Sequence, residues 1–538
     1  MAAHICPYPM ALALVTWLMV FSRSDDCLTL GFLSLKSVTS VRRHRGAMSR
    51  SAISLGVLAV LSGCMVGPNF QPPKASVPQA YLSSQTAKNT SYVSGGAVDP
   101  QWWQSFNDPV LTQLEARAVE QNLDLQIATE RLFEAEAQAQ MQGAVLYPSL
   151  SANAGYTRSK LSVNSPTALM FRPAADPMNL YQYGLQTMFD LDLWGKNRRT
   201  VEAAIANARA SAEARRAALL NVEASVASNY IQLRGTEAVL SITQKSLQSA
   251  NQLVKLTKER QLAGLTTQLD VANAKATAAQ IESQIPTLIA RRDGLIEQIG
   301  LLLGETPEGL PQDLVTPAPV PLTPPVVPVG LPSDLLTRRP DVREALDTLH
   351  AATAQIGAAK ADFFPDITLS ATTSLQSVSF NSWNEWKSLA YSFGPTITLP
   401  IFQGGLLRGQ LKLTEARQKE AAISYAKTVL TAFTQVDTAL VTYAQEHDTQ
   451  VALQTDVAQS KVALGLAEDQ YKQGLVDYLT VINAQQSYLA AQQAQAMSLQ
   501  RLGTDLVTLY QALGGGWEQT YPLQAPQAAL ANEAQHGE

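Results

Sequence analysis

Cysteine is scarce: Cys6, Cys27 and Cys64 are the only three in 538 residues. If export processing cuts before Cys64, a mature chain of about 475 residues keeps that one alone, at its first position,. Disulfide frameworks and cysteine-containing metal sites are then excluded. Charge is also sparse, at 16% with a net of -5. This gives no footprint for nucleic acid. After residue 64 no run of 18 apolar residues occurs, so no transmembrane helix is available,. His350 and His447 sit singly on helical stretches, with no carboxylate or cysteine at ligand spacing, and read as solvated or helix-packing residues,. "GLLRGQ" and "GGG" lack the lysine and the strand-loop-helix setting of a phosphate loop,. No nucleophile and base set is present, so no enzyme is expected and no cofactor beyond a covalent lipid.

That lipid is suggested by "MSRSAISLGVLAVLSGC" at 48–64, where Arg50 precedes the apolar stretch Ile53 to Leu61 and the small residues Ser62 and Gly63. Charge, a short apolar core and a small-residue cut site in that order make an export signal. A second apolar run, Met10 to Phe21, lies upstream, but "VRRHRGAMSR" intervenes. We expect Met48 to be the true start, residues 1–47 a gene-start error or an unusual extra leader, and 48–63 the signal peptide. "LSGC" resembles the bacterial lipobox, which implies a thioether lipid on Cys64 and acylation of the new amino end. Several chains anchor stably where one would be marginal. Met65, rather than Asp, follows, which by the rule for such lipoproteins is no inner-membrane retention signal.

The remainder is written twice, with a period near 210 residues,. "AVLYPSLSANAGY" (144–156) matches "ADFFPDITLSATT" (361–373), with Pro148 over Pro365. "LDLWGKNRR" (191–199) matches "LPIFQGGLL" (399–407), with Trp194 over Phe402. "LAGLTTQLDVANA" (262–274) matches "KQGLVDYLTVINA" (472–484), with Gly264 over Gly474. The expected organisation is a lipidated segment 64–109, a first repeat 110–303, a proline-rich extended linker 304–334, a second repeat 335–516 and a tail 517–538.

Within each half the hydrophobic period switches. Leu150, Ala152, Ala154 and Tyr156 alternate with polar residues, as do Tyr181, Tyr183, Leu185, Phe189 and Leu191 with Gln182, Gln186, Asp190 and Asp192. Ile367, Leu369 and Ala371 alternate with Thr368, Ser370 and Thr372, and Tyr391 to Leu399 repeat the pattern. These predict four two-faced strands of about ten residues, the length a tilted strand needs to cross a bilayer. From Lys196 to Leu262 and from Leu406 to Gln473 the chain has no proline and is rich in helix formers, predicting helices on the order of 100 Å long,. Gly264 and Gly474 end them, and Thr267 and Asp477 are candidate N-caps for returning helices. A further helix is expected over 110–145, with Leu111, Leu114, Ala118, Leu125, Ala128 and Leu132 as a partial stripe,.

Four strands cannot close a barrel, and an open edge in lipid leaves backbone groups unpaired at several kcal/mol each. Two copies give eight strands and a filled interior; three give twelve and room for water. Physics favours three without excluding four. The expected fold is a mixed α and β membrane protein: a long helical coiled-coil barrel plus four transmembrane strands per protomer in a 12-stranded trimeric barrel. Its lumen would be lined by Gln182, Gln186, Asp190, Asp192, Thr368 and Ser370. "SWNEWKS" (382–388) reads as an outer loop.

"LLTRRPDVREA" (335–345), "IGAAKADFFPDITLSA" (356–371), "GPTITLPIFQGG" (394–405), "NLDLQIATERL" (122–132), "DLDLWGK" (190–196) and "ALGGGW" (512–517) resemble the TolC-like outer-membrane efflux channels, specifically the lipoprotein branch of the OprM and NodT type. The resemblance spans essentially 64–517. It implies a lipid-anchored trimer in the outer membrane, reaching into the periplasm. There such channels meet a periplasmic adaptor and an inner-membrane pump, often of the resistance-nodulation-division class, as a passive exit duct for drugs or other small molecules. It also implies a periplasmic aperture: Leu479 at an apolar constriction position, Asn483 where the branch commonly has Asp, Gln486 where it commonly has Arg, and Asp270 in the equivalent first-half turn. Rings of amides neither repel themselves nor draw in cations. We therefore expect the aperture to be held by Leu479 packing and amide hydrogen bonds, with Asp270 and Asp477 the only nearby acids. The alternative within the channel class is the outlet of a peptide or protein secretion system. A poreless coiled-coil scaffold leaves the four strands unexplained, and a hydrolase lacks its residues.

Overall fold

The computed structural model describes residues 65–74, 81, 92–94, 96–162, 176–324 and 326–518. Cys64, the export signal, residues 1–47 and the end of the tail lie outside them. In chain order the elements are β1 (Val93–Ser94), α1 (Pro109–Gln121), α2 (Leu123–Gly143), β2 (Ser149–Ser159), β3 (Met178–Asp190), α3 (Lys196–Leu262), α4 (Gln268–Glu282), α5 (Ile285–Leu303), β4 (Val327–Pro328), α6 (Pro340–Ala361), β5 (Asp366–Ser377), β6 (Leu389–Thr398), α7 (Leu406–Lys472) and α8 (Tyr478–Leu513). No described helix is long and apolar enough to cross a membrane.

The duplication is visible in this order. Each half runs a helical segment, strand, strand, a 67-residue helix and a helical return. At ~1.5 Å per residue the two long helices each reach about 100 Å. The four long strands form one antiparallel sheet in the order β2-β3-β5-β6. β1 and β4 pair in parallel, tying the N-terminal segment to the proline-rich connection, which is otherwise mostly irregular.

Two expectations are corrected. The single helix over 110–145 is two, because Asn122 ends α1 and begins α2: its backbone leaves the helical region, its side chain accepts from the amide of Leu125, and its Nδ2 donates to the carbonyl of Leu302 (2.8 Å). A buried amide satisfied on both its donor and its acceptor side outweighs continuing the helix,. The first return helix is likewise split, at Ser283–Gln284 ahead of Pro286, since proline cannot donate to the helical ladder. The second runs 36 residues unbroken.

The main core collects Trp102, Leu111 and Leu114 with residues of α3, α7 and α8, including Tyr230, Val436 and Tyr510. Arg234 is wholly buried there; it pairs with Glu237 (2.9 Å) and donates to the carbonyls of Asp313 (2.9 Å) and Thr316 (2.8 Å), pinning the connection to α3.

Candidate functional site: the sheet faces and the hairpin tips

Antiparallel partners share a face, so the register decides what each side of the sheet presents. Gln182 lies opposite Gln376, Gln186 opposite Thr372, Met188 opposite Ser370, and Asp190 opposite Thr368, whose hydroxyl donates to Asp190 (2.9 Å). Ser151 and Asn153 extend this face on β2, and Thr396 and Ser392 on β6. Gln182, Gln186, Asp190, Thr368 and Ser370 thus stand together on one polar, small-residue surface. The opposite face carries Leu150, Tyr156, Leu185, Tyr391, Phe393 and Ile397, all exposed in the protomer. Asp192, placed by alternation on the polar face, is a correction: it lies past the end of β3. Its carboxylate accepts from the Arg198 amide (2.8 Å), holding the first turn of α3. The alternation runs two residues beyond the strand because the helix start needs an acceptor,. Beyond the other end, in the loop joining β5 and β6, Trp383 stacks on Phe380 and meets Tyr183 edge-on.

At the junction of sheet and helices, Trp194 stacks on Phe364 (4.7 Å) and donates to the Pro365 carbonyl (2.8 Å). The residues that follow Cys64 are seated at the same level. Val66 donates to the Trp194 carbonyl (3.0 Å), Asn69 accepts from Arg199 (2.6 Å), and Phe70 stacks on His350, itself 2.9 Å from Glu202. Gly67, at φ +100, meets Gly357 with bare backbone, and a methyl group on Gly67 would collide with the Gly357 Cα. Residues 65–70 are therefore seated beside the base of the sheet. His350 packs between helices and Phe70, and His447 stacks on Tyr92 (4.2 Å).

The two hairpin tips are built alike. Gly264 has φ +73, and the chain closes α3 with Gly264 donating to Gln261 and Leu265 to Arg260. Gly474 has φ +77, with Gly474 donating to Tyr471 and Leu475 to Gln470. Both are left-handed closures in which orphan carbonyls are paired. Thr267 and Asp270 then form a capping box at the start of α4, and Asp477 caps α8 through the Thr480 amide (3.0 Å). Hydrogen bonds from Thr266 and Thr267 hold the Asp270 carboxyl below its usual range, and those from Thr480 do the same for Asp477.

Tyr471, Tyr478, Val481 and Ile482 pack with Leu253 and Ala274, joining the two hairpins. Leu479, Asn483 and Gln486 lie on the other side of α8, spaced as one helical face, and all are exposed, Leu479 by 57%,. None packs into its own protomer, so any closure they provide needs further copies.

Two buried acids escape a sequence reading. Glu115 lies on the apolar stripe of α1 and Glu223 faces it from α3; all four carboxyl oxygens, and Nε1 of Trp102, lack a hydrogen-bond partner among the described residues. The signal was position: Glu115 follows Leu111 by four and precedes Ala118 by three,.

Among known proteins, the family model described as outer membrane efflux protein matches residues 114–305 and 331–515. The chain is 33% identical over 483 residues to the probable efflux pump outer membrane protein TtgC of Pseudomonas putida, covering 88% of this chain and 97% of that one. It is 30% identical over 459 residues to nodulation protein T of Rhizobium leguminosarum bv. trifolii, covering 85% and 96%. The structure of the outer-membrane channel OprN superposes with a TM-score of 0.79 at 30% identity, over 85% of this chain and all of that one. The chain belongs to the outer membrane efflux protein family and is an outer-membrane channel of that kind.

Proposed function

We propose that three copies pool their sheets into a 12-stranded barrel through the outer membrane, with the long helices continuing as a tube in the periplasm, and that this duct passively releases small molecules. The observation that carries the reading is the sheet itself. Among the described residues its outer strands β2 and β6 have no partner on one side; one face is apolar and exposed, and the other is polar. An open edge in lipid is untenable, so the strands must be completed by other copies. In that assembly Gln182, Gln186, Asp190, Thr368 and Ser370 line the lumen, while Leu479, Asn483 and Gln486 ring the periplasmic end, where Gly264 and Gly474 turn the chain and Asp270 and Asp477 supply the nearby acids.

A passive duct requires energy from elsewhere. We infer a periplasmic adaptor seated on the hairpin tips and an inner-membrane pump, of the resistance-nodulation-division class, in line with the efflux-pump naming of TtgC. Cleavage after residue 63 and acylation of Cys64 would add an outer-membrane anchor beside the barrel base. The test is the purified lipoprotein: we expect a trimer on gels that dissociates only on boiling, and ion conduction in planar bilayers. A water-soluble monomer that conducts nothing would overturn the reading.

A further inference from the structure

Where α8 ends and α6 begins, two helices that both pack against α3 and α7 meet, and Arg339, just before α6, donates to the carbonyl of Ala512 (2.9 Å). The seam holds a cavity of about 720 Å³, a size that small organic ligands occupy. It opens on the side turned away from the main core. On α7, Phe433, Val436, Leu440 and Tyr443 enter that core, whereas Thr431, Thr434, Thr438 and Thr442 line the cavity. On α8, Leu506, Leu509 and Leu513 enter the core, whereas Asp505 and Thr508 line the cavity. The N-terminal segment and the proline-rich connection cover the core side through Trp102, Leu314 and Val327. In the tube proposed above the flanks belong to neighbouring copies, so the uncovered side is the inner wall.

The lining combines apolar surface with one unbalanced charge. Leu220, Leu430 and Pro340 contribute apolar area, and the threonine methyl groups add to it. The Arg339 guanidinium donates to both carboxylate oxygens of Asp341 (2.9 and 2.6 Å) and to Gln435 (2.8 Å), so Arg339 and Asp341 neutralise each other. Asp505 makes no hydrogen bond among the described residues. The charges that act on it, Glu446 of α7 and Arg501 of α8, are paired with each other (3.2 Å). The α3 residues on the lining, Ala217, Leu220 and Asn221, carry no charge. Burial, reinforced by Glu446, raises the Asp505 carboxyl to about 6, so it is ionised at neutral pH. A half-buried carboxylate beside apolar surface favours a cation that brings apolar surface of its own. Among the described residues no three His, Cys, Asp or Glu side chains stand together as a metal ion would need,.

From this cavity, and resting on the duct reading above, we propose a binding site in the duct wall for monovalent organic cations with an apolar body, the charge set against Asp505 and the body against Leu220, Leu430 and the threonine methyl groups. Each copy carries one such site. The wall is then more than an inert lining, since it retains cargo of this class on its way out, whereas neutral and anionic compounds gain nothing from Asp505.

Ethidium, a fluorescent organic cation, tests the site on the purified full-length lipoprotein in a nonionic detergent. We expect saturable binding at about pH 7.5, displaced by tetraphenylphosphonium and not by the neutral triphenylphosphine oxide. Asp505→Asn, which is nearly isosteric, should weaken binding about tenfold, the scale of one half-buried charge pair. Binding to the unaltered protein should also weaken as pH falls through about 6, where Asp505 takes up a proton, and this dependence should flatten in Asp505→Asn. Thr438→Trp, at an exposed position on the cavity wall, should fill the hollow and abolish binding, whereas Thr449→Trp, exposed on α7 outside the cavity, should leave it unchanged. A boil-sensitive, conducting trimer that shows no saturable binding, or binding that ignores both Asp505→Asn and Thr438→Trp, overturns the site and leaves the duct standing. A water-soluble monomer that conducts nothing overturns the duct reading, and with it the site's place in a wall, whether or not ethidium binds.

Discussion

The guanidinium of Arg260 lies 4.6 Å over the ring of Tyr471 and donates to that residue's own carbonyl at 2.9 Å. Arg260 lies in the last turn of α3 and Tyr471 in the last turn of α7, so a single side chain ties the two hairpin tips of a protomer. It also places a positive charge on the carbonyl end of α7, where the helix dipole favours one.

Removing this tie should loosen the tip without unfolding the protein. Arg260→Ala forfeits about 1–2 kcal/mol of cation–π and charged hydrogen bonding. The expected outcome is a higher resting conductance in planar bilayers, with the boil-sensitive trimer retained. Arg260→Lys keeps the charge but not the planar donor and should fall between the two. Equal resting conductance in all three proteins would rule the tie out as a restraint on the tip.

Asn483 offers a second reading of the same end. In the proposed trimer, Asn483→Asp introduces a ring of carboxylates where amides stood, which should raise cation preference. The reversal potential in a salt gradient should move toward the cation value. If it does not move, Asn483 lies away from the constriction.

The acids buried between α1 and α3 predict a dependence on pH. Burial carries the Glu223 carboxyl up to about 8, with Glu518 acting in the same direction; burial, then Glu223, raises that of Glu115. A raised acid is favoured protonated in the folded state. The stability it contributes is complete below its ordinary value of 4.5 and is lost as pH climbs through about 8,. The melting temperature should therefore be higher at pH 5 than at pH 8. Glu223→Gln should narrow that gap by raising the pH 8 value by the equivalent of about 1–3 kcal/mol. An undiminished gap in the variant would assign the effect to other groups.

Gly67 predicts a steric outcome. Its positive φ and its backbone contact with Gly357 leave no room for a side chain,. Gly67→Val should lift residues 65–70 from the junction, exposing that segment to limited proteolysis, while the helices keep their circular dichroism. Protection equal to that of the unaltered protein would refute the contact.

Much of this architecture was legible in the chain, for identifiable reasons. The helix over Lys196–Leu262 begins and ends where expected because a proline-free run of helix formers meets a glycine able to take positive φ. The faces of the strands follow from alternation alone. Legibility fails where a tertiary partner overrides a local pattern. Asn122 interrupts a continuous stripe because the carbonyl of Leu302, 180 residues away, takes its amide. Asp192 leaves the sheet because Arg198 needs it. Glu115 looks like an ordinary charged helical residue until α3 is laid across it, and the role of Arg260 appears only when the two tips meet. The two faces of the sheet were visible by type, and their neighbours were not.

The two arms of the duplication have not aged identically. One comes back from its tip as a single 36-residue rod, and the other as two shorter pieces separated at Ser283–Gln284. Bending stiffness is lost where a helical ladder is interrupted. Displacement of the first tip is therefore absorbed locally at this joint, whereas displacement of the second is transmitted along its full length toward the body of the protein. A gene copied onto itself has in this way become a lever beside a shock absorber.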